Sequence, residues 1–441
     1  MKTFSIWLAI IFMPLMVTQT NADNWGHWRG PSGNGVAENA APPTQWSPTK
    51  NIKWKFEIPG KGSGSPIVWD DKVFVVTGIS KGAASGERSQ PSTGQRGGRR
   101  RGRGRGMAPT ETTFKLLCID RSTGKLIWES EACKATPHQG THSTNNFASA
   151  SPCTDGTHVY AFFGSRGLYC YSMTGDLVWK KDDFGKMDTR NSFGEGASPT
   201  LAGDKIIVPW DHEGDSSIFA LDKMTGETIW RTRRDEPTNW STPLIAKNGD
   251  GFQVVMNGQT CARGYDLETG EELWRCGGQT DRPCASAVSD FGLVFVGSGF
   301  RGSYLGAFDL DGRGNLANSS NVVWSTNRDT PDIASPLLSE NRLYYHKGKT
   351  GILTCVDAKT GDPLFSATRI PGVESTYASP VAAGGFVFLT GRSGSTTIIK
   401  DSGQFELVSR NSVGEGVDAT PAIAGNEVFI RGEKHLFCIA N

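Results

Sequence analysis

The sequence predicts an all-β fold, an eight-bladed β-propeller made of four-stranded antiparallel blades. A template of a Ser-Pro or similar dipeptide, a strongly apolar strand, a Thr-Gly turn and a Trp recurs along the chain. After the first unit its starts lie 41 to 49 residues apart, which is the length of one four-stranded blade. The 55 Gly and 13 Trp suit a turn-rich, aromatic β protein.

The N-terminal residues predict export. Lys2 precedes an apolar stretch from Phe4 to Val17, and the small residue Ala22 follows, which is typical of a secretory signal peptide over 1–22. The alternative is an N-terminal anchor, but the stretch is short for a membrane span and no Cys near Ala22 offers a lipobox. We expect a periplasmic or secreted protein without membrane insertion, in which an extension over 23–50 precedes the propeller.

The propeller is predicted over 51–441, with the repeat itself defining the blades. The last unit ends at Ile439, after its third strand, and Asn51–Phe56 has the pattern of the missing fourth strand. We expect this N-terminal strand to complete the last blade and close the ring, because closure removes open sheet edges. The eight units begin at Ser65, Ser151, Ser198, Thr242, Ser286, Ser335, Ser379 and Thr420.

Six of the 13 Trp and four of the nine Cys follow the repeat and are predicted to be structural. In six of the eight blades one Trp is expected to stack against the neighbouring blade and bury a large apolar area, and Phe365 and Leu407 take its place in units six and seven. Four Cys occupy the same strand position and are expected in the core, whereas Cys276 and Cys284 form a candidate disulfide in an oxidising compartment. The structural Trp residues are Trp54, Trp128, Trp179, Trp230, Trp274 and Trp324, and the core Cys residues are Cys118, Cys170, Cys355 and Cys438.

One segment, 79–112, interrupts the period inside the first blade. It is rich in Gly and Arg, and from Lys81 to Arg105 it carries a charge of +7 in a chain whose net charge is +1. Such a composition cannot bury an apolar face and predicts a disordered, solvated loop. The alternative is an arm for an extracellular polyanion; nucleic acid is disfavoured because an exported protein does not meet cytoplasmic RNA.

The turn motif carries a family resemblance. Ala220–Trp230, ALDKMTGETIW, fits the pattern AxDxxTGxxxW and is similar to the repeat of pyrroloquinoline-quinone (PQQ) propellers. That superfamily includes quinoprotein alcohol dehydrogenases and non-enzymatic relatives such as the barrel-assembly lipoprotein BamB. The N-terminal stretch 25–35, WGHWRGPSGNG, resembles the corresponding stretch of secreted bacterial PQQ-like propellers. The resemblance implies the fold, whereas activity depends on the site, and the adjacent Cys pair typical of the dehydrogenases is absent.

Candidate site residues lie on the loops that enter each first strand and on those between second and third strands. These loops share one face of a propeller and surround its channel, where a pocket is expected. We predict an exported, non-catalytic binding or scaffold module that engages a protein, peptide or glycan there and needs no cofactor. The candidate ligand-binding residues are His142, Asn145, Asn146, Glu195, Trp240, Arg282, Arg301, Tyr377 and Asp418.

The alternative function is a PQQ- and calcium-dependent dehydrogenase that oxidises an alcohol or sugar. In that hypothesis Trp240 is the stacking floor, Arg282 or Arg301 binds the cofactor carboxylates, and Glu195 with Asn145 binds calcium. A second metal candidate is Trp210–Asp215, WDHEGD. Alternation along a strand separates its ligands, which favours a surface loop there.

Overall fold

The computed structural model describes residues 24–82 and 109–441. Eight sheets, each with four antiparallel strands in radial order, form the molecule, which confirms the eight-bladed all-β propeller. The predicted signal peptide and the centre of the Arg/Gly-rich insertion lie outside the described residues. The flanking strands reach Ser80 and begin again at Thr112, so the ends of the predicted segment 79–112 belong to the first blade.

Blades 1 to 4 follow the predicted starts, and their strands run from the channel outwards. Blade 1 comprises Ile67–Trp69, Lys72–Ser80, Thr112–Asp120 and Leu126–Ala135. Blade 2 comprises Cys153–Thr154, His158–Phe162, Leu168–Ser172 and Leu177–Lys181. Blade 3 comprises Thr200–Ala202, Lys205–Trp210, Ser217–Asp222 and Thr228–Arg233. Blade 4 comprises Leu244–Asn248, Gly251–Met256, Ala262–Asp266 and Glu272–Cys276.

Blades 5 to 8 continue the ring. Blade 5 comprises Val288–Asp290, Leu293–Ser298, Tyr304–Asp309 and Val322–Thr326. Blade 6 comprises Leu337–Ser339, Arg342–His346, Ile352–Asp357 and Pro363–Arg369. Blade 7 comprises Val381–Ala383, Phe386–Thr390, Ser395–Lys400 and Leu407–Ser412. Blade 8 comprises Ala422–Ala424, Glu427–Arg431, His435–Ile439 and the N-terminal strand Ile52–Glu57.

The N-terminal strand closes the ring as predicted. Ile52–Glu57 pairs antiparallel with His435–Ile439, and Trp54 lies opposite Cys438. Two short strands extend other blades: Val36–Ala37 pairs in parallel with blade 7, and Gly314–Asn315 with blade 4. Closure leaves blades 1 and 8 without the free radial faces that an open array would have.

Burial along each blade explains why the repeat folds in this way. The second strands lie between neighbouring blades and are buried on both faces, as in Lys205–Trp210. The outermost strands are mostly exposed, and in Thr228–Arg233 only Trp230 is buried. No helix within 24–82 and 109–441 has the length and hydrophobicity of a membrane span.

The repeat Trp residues connect each blade to the next. In five blades the indole Nε1–H donates to a backbone carbonyl of the following Thr-Gly turn, for example from Trp230 to Leu267 at 3.0 Å. The turn glycine lies on the ring: a Cβ on Gly270 would stand 2.5 Å from Trp230. Trp274 differs, because its indole donates to Gln253 of its own blade. Five of the six predicted Trp residues thus bond to the next blade, and Trp274 bonds within its own blade.

The Ser or Thr that begins each unit forms a closed ring of eight hydrogen bonds. Each hydroxyl oxygen accepts the backbone N–H of the equivalent residue in the preceding blade, from Ser65 N–H to Ser151 Oγ at 2.8 Å and finally from Thr420 N–H to Ser65 Oγ at 3.0 Å. The remaining members are Ser198, Thr242, Ser286, Ser335 and Ser379. We call these eight residues the hydroxyl ring. The ring fixes the register between innermost strands.

The extension before the propeller, which we call the leader (24–50), crosses the lower end of the channel. Trp25 bridges to Val68 of blade 1 through both backbone groups. The buried Arg29 donates to the carbonyls of Pro336 and Pro380 in blades 6 and 7. The leader then adds Val36–Ala37 to blade 7. It is therefore part of the folded domain and ties blades that are far apart along the chain.

The cysteines do not form disulfides. All nine are free thiols, so the candidate Cys276–Cys284 bond is not formed. The four Cys at the common strand position are buried, as predicted. Burial raises the pKa of Cys118 and of Cys355 to about 12, so these thiols stay protonated and act as small apolar groups.

Candidate functional site

A cavity of about 530 Å³ opens on the face where the entering loops meet. We call it the mouth cavity. Its lower part is lined by seven of the eight hydroxyl-ring residues and its walls by side chains of the loops above them. It therefore lies on the propeller axis, where the sequence predicted a site. Its main wall residues are His142, Asn145, Phe193, Trp240, Arg282, Phe300, Asp332, Lys349, Tyr377 and Asp418.

The leader supplies the floor of the mouth cavity. Trp28 lines it together with the hydroxyl ring, and it also lines the groove on the opposite face. The Trp28 indole thus lies between the two spaces and separates them. Its Nε1 is buried and has no hydrogen-bond partner among the described residues.

Arg282 is the central cation of the wall. Its guanidinium carbon lies 3.4 Å from the centroid of the Phe300 ring and 5.3 Å from that of Phe193, so two aromatic faces hold it. Its Nε is buried without a hydrogen-bond partner within the described chain, and burial lowers the pKa of Arg282. Among the described residues no carboxylate forms an ion pair with it.

Two further cations, Lys349 on the wall and Arg392 beside the wall residues Asp418 and Tyr377, are paired with carboxylates. Lys349 Nζ lies 3.5 Å from Asp332 Oδ2. Arg392 donates from Nε and Nη2 to the two oxygens of Asp418, at 2.6 and 3.1 Å, and lies over the Tyr377 ring at 4.0 Å. These pairs cancel, so Arg282 leaves the mouth cavity with a net positive charge.

The electrostatics of His142 reflect that excess. Burial, followed by the nearby charges of Lys349, Arg282 and Arg392, lowers the pKa of His142. Its Nδ1 and the Thr144 hydroxyl are 2.9 Å apart. His142 is therefore neutral at neutral pH, and the surrounding potential is positive.

The structure brings together six of the nine predicted site residues. His142, Asn145, Trp240, Arg282, Tyr377 and Asp418 line the mouth cavity. Asn146 lies beside it, and its amide donates to Ser63 at 2.7 Å. Glu195 lies behind the wall, and Arg301 projects into solvent with 70% of its side chain exposed.

Glu195 and Asn145 are not arranged to bind a calcium ion. The Glu195 carboxylate accepts from the Ser165 hydroxyl and forms an ion pair with Arg166. The Asn145 amide oxygen accepts from Asn146 N–H and from the Ser149 hydroxyl. Calcium binding requires six to eight oxygen ligands, and within the described residues no three His, Cys, Asp or Glu side chains cluster as metal ligands. These two residues therefore do not fit the calcium role.

The segment WDHEGD is neither a metal cluster nor, for its first part, the surface loop that we predicted. Asp211 and His212 are buried. The Asp211 carboxylate accepts from Arg234 Nε at 2.8 Å and from the Asn239 amide at 3.0 Å. The surface prediction was wrong here because a buried ion pair cross-links the strand end, a contact between residues 23 positions apart.

Sequence reasoning missed four aromatic or cationic residues of the mouth cavity: Trp28, Phe193, Phe300 and Lys349. Phe193 and Phe300 each lie on a loop that carries a predicted residue, and Lys349 lies on the loop after the second strand of blade 6, Arg342–His346. Loop conformation decides which neighbour faces the channel, and the repeat pattern contains no information on that. Trp28 belongs to the leader, which has no repeat to place it.

Two larger grooves lie beside the leader on the opposite face, at about 940 and 1070 Å³. Their walls consist largely of the leader itself and of the turns after the first strands. The convergence of aromatic rings around a cation that lacks a carboxylate partner distinguishes the mouth cavity, and we take it as the candidate site.

Comparisons with known proteins place the fold in a family. The family model described as outer membrane protein assembly factor BamB matches residues 112–278 and 260–441. No curated protein matches the sequence.

Three solved structures illustrate the likeness. BamB from Moraxella catarrhalis is 14% identical, covering 74% of this chain and 91% of its own, with a TM-score of 0.48. The computationally designed Ika8 protein is 12% identical, with coverage of 76% and 94% and a TM-score of 0.54. Quinohemoprotein alcohol dehydrogenase from Comamonas testosteroni is 11% identical, with coverage of 95% and 81% and a TM-score of 0.57. At such identities the last two share the fold alone.

Proposed function

Since the chain belongs to the family of the outer membrane protein assembly factor BamB, we propose that it is an exported, non-catalytic propeller module that binds a protein or peptide partner at the mouth cavity. The observation that carries this proposal is the composition of the wall. The wall carries two Phe, one Trp and one Tyr, and two of these rings, Phe193 and Phe300, hold Arg282, which lacks a carboxylate partner in the described chain. Aromatic residues and Arg dominate the binding energy of protein interfaces.

The charged side chains of the cavity support binding rather than catalysis. A general base must accept a proton from its substrate. Both carboxylates that line the cavity, Asp332 and Asp418, lie in ion pairs with Lys349 and Arg392, and His142 is surrounded by cations. The misfit of Glu195 and Asn145 as calcium ligands also weighs against the alternative of a PQQ dehydrogenase.

The proposal is tested by selecting peptides on the intact protein. A displayed random peptide library is selected on the wild type, and affinities of the selected peptides are measured for F300A and F252A. Phe300 lies in the mouth cavity, whereas Phe252 is an exposed side chain beside the lower groove. We expect F300A to weaken binding at least about tenfold, which is the loss of one well-placed contact, and F252A to leave it unchanged.

Other outcomes would point to a different site, a different class of ligand or a different function. Peptides lost in F252A and kept in F300A would move the site to the lower groove. Binding of acidic oligosaccharides in place of peptides, with the same sensitivity to F300A, would make the ligand a glycan. Stoichiometric uptake of PQQ with calcium, followed by dye reduction on addition of alcohols, would overturn the proposal in favour of a dehydrogenase.

A further inference from the structure

The lower half of the mouth cavity is lined by hydrogen-bond donors that have no acceptor. In the hydroxyl ring each oxygen accepts a backbone N–H from the preceding blade. No described residue accepts the O–H of any of the eight hydroxyls, so every proton remains to be donated. Seven of the eight residues border the cavity. Eight-fold repetition thus places a circle of O–H donors around the axis.

Two stronger donors join this circle. The Trp28 indole N–H at the floor and Nε of Arg282 on the wall are both buried and have no partner in the part of the chain that the structure describes. Acceptors are few, because the Asp332 and Asp418 carboxylates face Lys349 and Arg392. A buried donor without an acceptor costs free energy, so a ligand that supplies acceptors gains more here than in water.

Among small chemical groups, an oxyanion offers the most hydrogen-bond acceptors. A carboxylate offers about four lone-pair sites to O–H and N–H donors and can accept two parallel hydrogen bonds from a guanidinium in a bidentate pair. Above the donors, the rings of Phe193, Trp240, Phe300 and Tyr377 offer apolar faces. The site therefore suits an anionic head and an apolar body, with the head directed towards the floor.

The closed floor selects the end of a chain. The leader crosses the lower end of the channel, and Trp28 separates the cavity from the groove beneath. A polypeptide segment would have to enter and leave through the same opening of a cavity of about 530 Å³. A C-terminus needs only to enter, and it carries the carboxylate that the donors require.

We propose that the mouth cavity captures the C-terminal carboxylate of a partner polypeptide that ends in an apolar or aromatic residue, with the hydroxyl ring, Trp28 and Arg282 binding the carboxylate. This inference rests on the proposed function and names the part of the partner that enters. The bound carboxylate also neutralises the excess charge of Arg282.

The test compares matched peptides on the full protein. N-acetylated tripeptides Gly-Gly-X, with X as Phe, Trp, Tyr, Leu or Ala, are titrated as free acids and as C-terminal amides. The indole ¹⁵N–H resonance of Trp28, assigned with W28F, reports occupancy of the floor. We expect at least one apolar free acid to shift this resonance and to bind about ten to one hundred times more tightly than its amide, as for bonds to a charged group.

Variants separate the carboxylate from the rest of the ligand. R282M should abolish the preference for acid over amide, R282K should retain part of it, and W28F should reduce it. The control R233M removes an arginine whose side chain is 82% exposed on the outer strand of blade 3 and should leave all affinities unchanged. Melting curves verify that each variant is folded.

Three results would overturn the inference. If acids and amides bind equally and F300A weakens both, the proposed binding function stands and carboxylate capture fails. If no free acid shifts the Trp28 resonance at millimolar concentration, the donors hold only water. A small aromatic acid such as phenylacetate that binds as tightly as any tripeptide would assign the cavity to a free metabolite instead of a chain end.

Discussion

The hydroxyl ring explains why a Ser or Thr begins every unit. Each hydroxyl accepts a buried backbone N–H of the blade before it, so the residue type follows from a hydrogen bond that no aliphatic side chain can make. Ser286 accepts from Thr242 N–H at 2.8 Å. The following Pro, present in all units except the fifth, has no N–H of its own to satisfy. A repeated dipeptide is thus a repeated interblade bond.

Removing one hydroxyl should therefore destabilise the ring. We expect S286A to lower the free energy of unfolding by about 1–3 kcal/mol, because the buried Thr242 N–H loses its acceptor. S286T, which keeps the hydroxyl as units 4 and 8 do, should stay close to wild type. Urea denaturation of the three proteins measures both effects. Equal stability of S286A and wild type would contradict the structural role of the ring.

His346 makes stability depend on pH. It is 1% exposed at the end of a strand of blade 6, and burial lowers the pKa of His346 to about 4. The unfolded chain binds this proton below about pH 6.5, whereas the native state binds it only near pH 4. Stability is therefore complete above pH 6.5 and falls as the pH decreases towards 4.

For the wild type we expect a loss of about 2 kcal/mol from this histidine between pH 7.5 and 5. H346L should remove that part of the pH dependence, whatever its effect at pH 7.5. Unfolding free energies at the two pH values give the difference directly. An identical pH slope in H346L and wild type would show that His346 is protonated in both states or in neither.

Within the blades, the sequence was sufficient to predict the fold wherever the repeat was intact. Eight starts, the turn, the Trp and the closure by Ile52–Glu57 were all predicted, because each recurs or fills a gap in a periodic pattern. The leader was not predicted, since its contacts are non-local: Arg29 reaches carbonyls more than 300 residues away. The entering loops were predicted to surround the channel on one face, and they line the mouth cavity there, but the repeat does not determine which loop side chains point inwards.

The Trp–turn contact is the element that joins blades at their outer ends, and glycine is required there for two reasons. Gly361 has φ +76°, and a Cβ would stand 2.7 Å from Trp324. Gly385 has φ +80° but nothing within 4 Å of that position. Comparing Gly361 with Gly385 therefore separates the need for a positive φ, which both share, from the contact with the indole, which only Gly361 makes.

We expect G385A to cost about 1–2 kcal/mol, the penalty of a left-handed conformation for a residue with a Cβ. G361A should cost at least about 1 kcal/mol more, because Trp324 must also move. Thermal and urea denaturation compare them. Equal costs would show that the indole moves aside freely and that the Trp–turn contacts do not hold the blades together.

Two features hold the eight blades in a ring: the pairing of the N-terminal strand with the last blade, and the leader. Ile52–Glu57 joins the first and last blades, and the leader ties blades 1, 6 and 7 beneath the channel. These two devices are adjacent in sequence but act differently. The closing strand pairs with a strand edge that would otherwise be open. The leader forms the floor of the mouth cavity and buries Arg29 against backbone carbonyls.

Two truncated chains distinguish these devices. A chain that begins at Asn51 lacks the leader and keeps the closing strand; we expect it to melt at a lower temperature in a single cooperative transition and to remain monomeric. A chain that begins at Gly60 also lacks the closing strand, so the edge of His435–Ile439 and the buried Cys438 become exposed. Because an open apolar edge pairs with other chains, this second chain should unfold over a broad range and associate. Calorimetry and sedimentation measure both properties. A monomeric Gly60 chain with the same cooperative transition as the Asn51 chain would mean that contacts between blades, and not closure, hold the ring together.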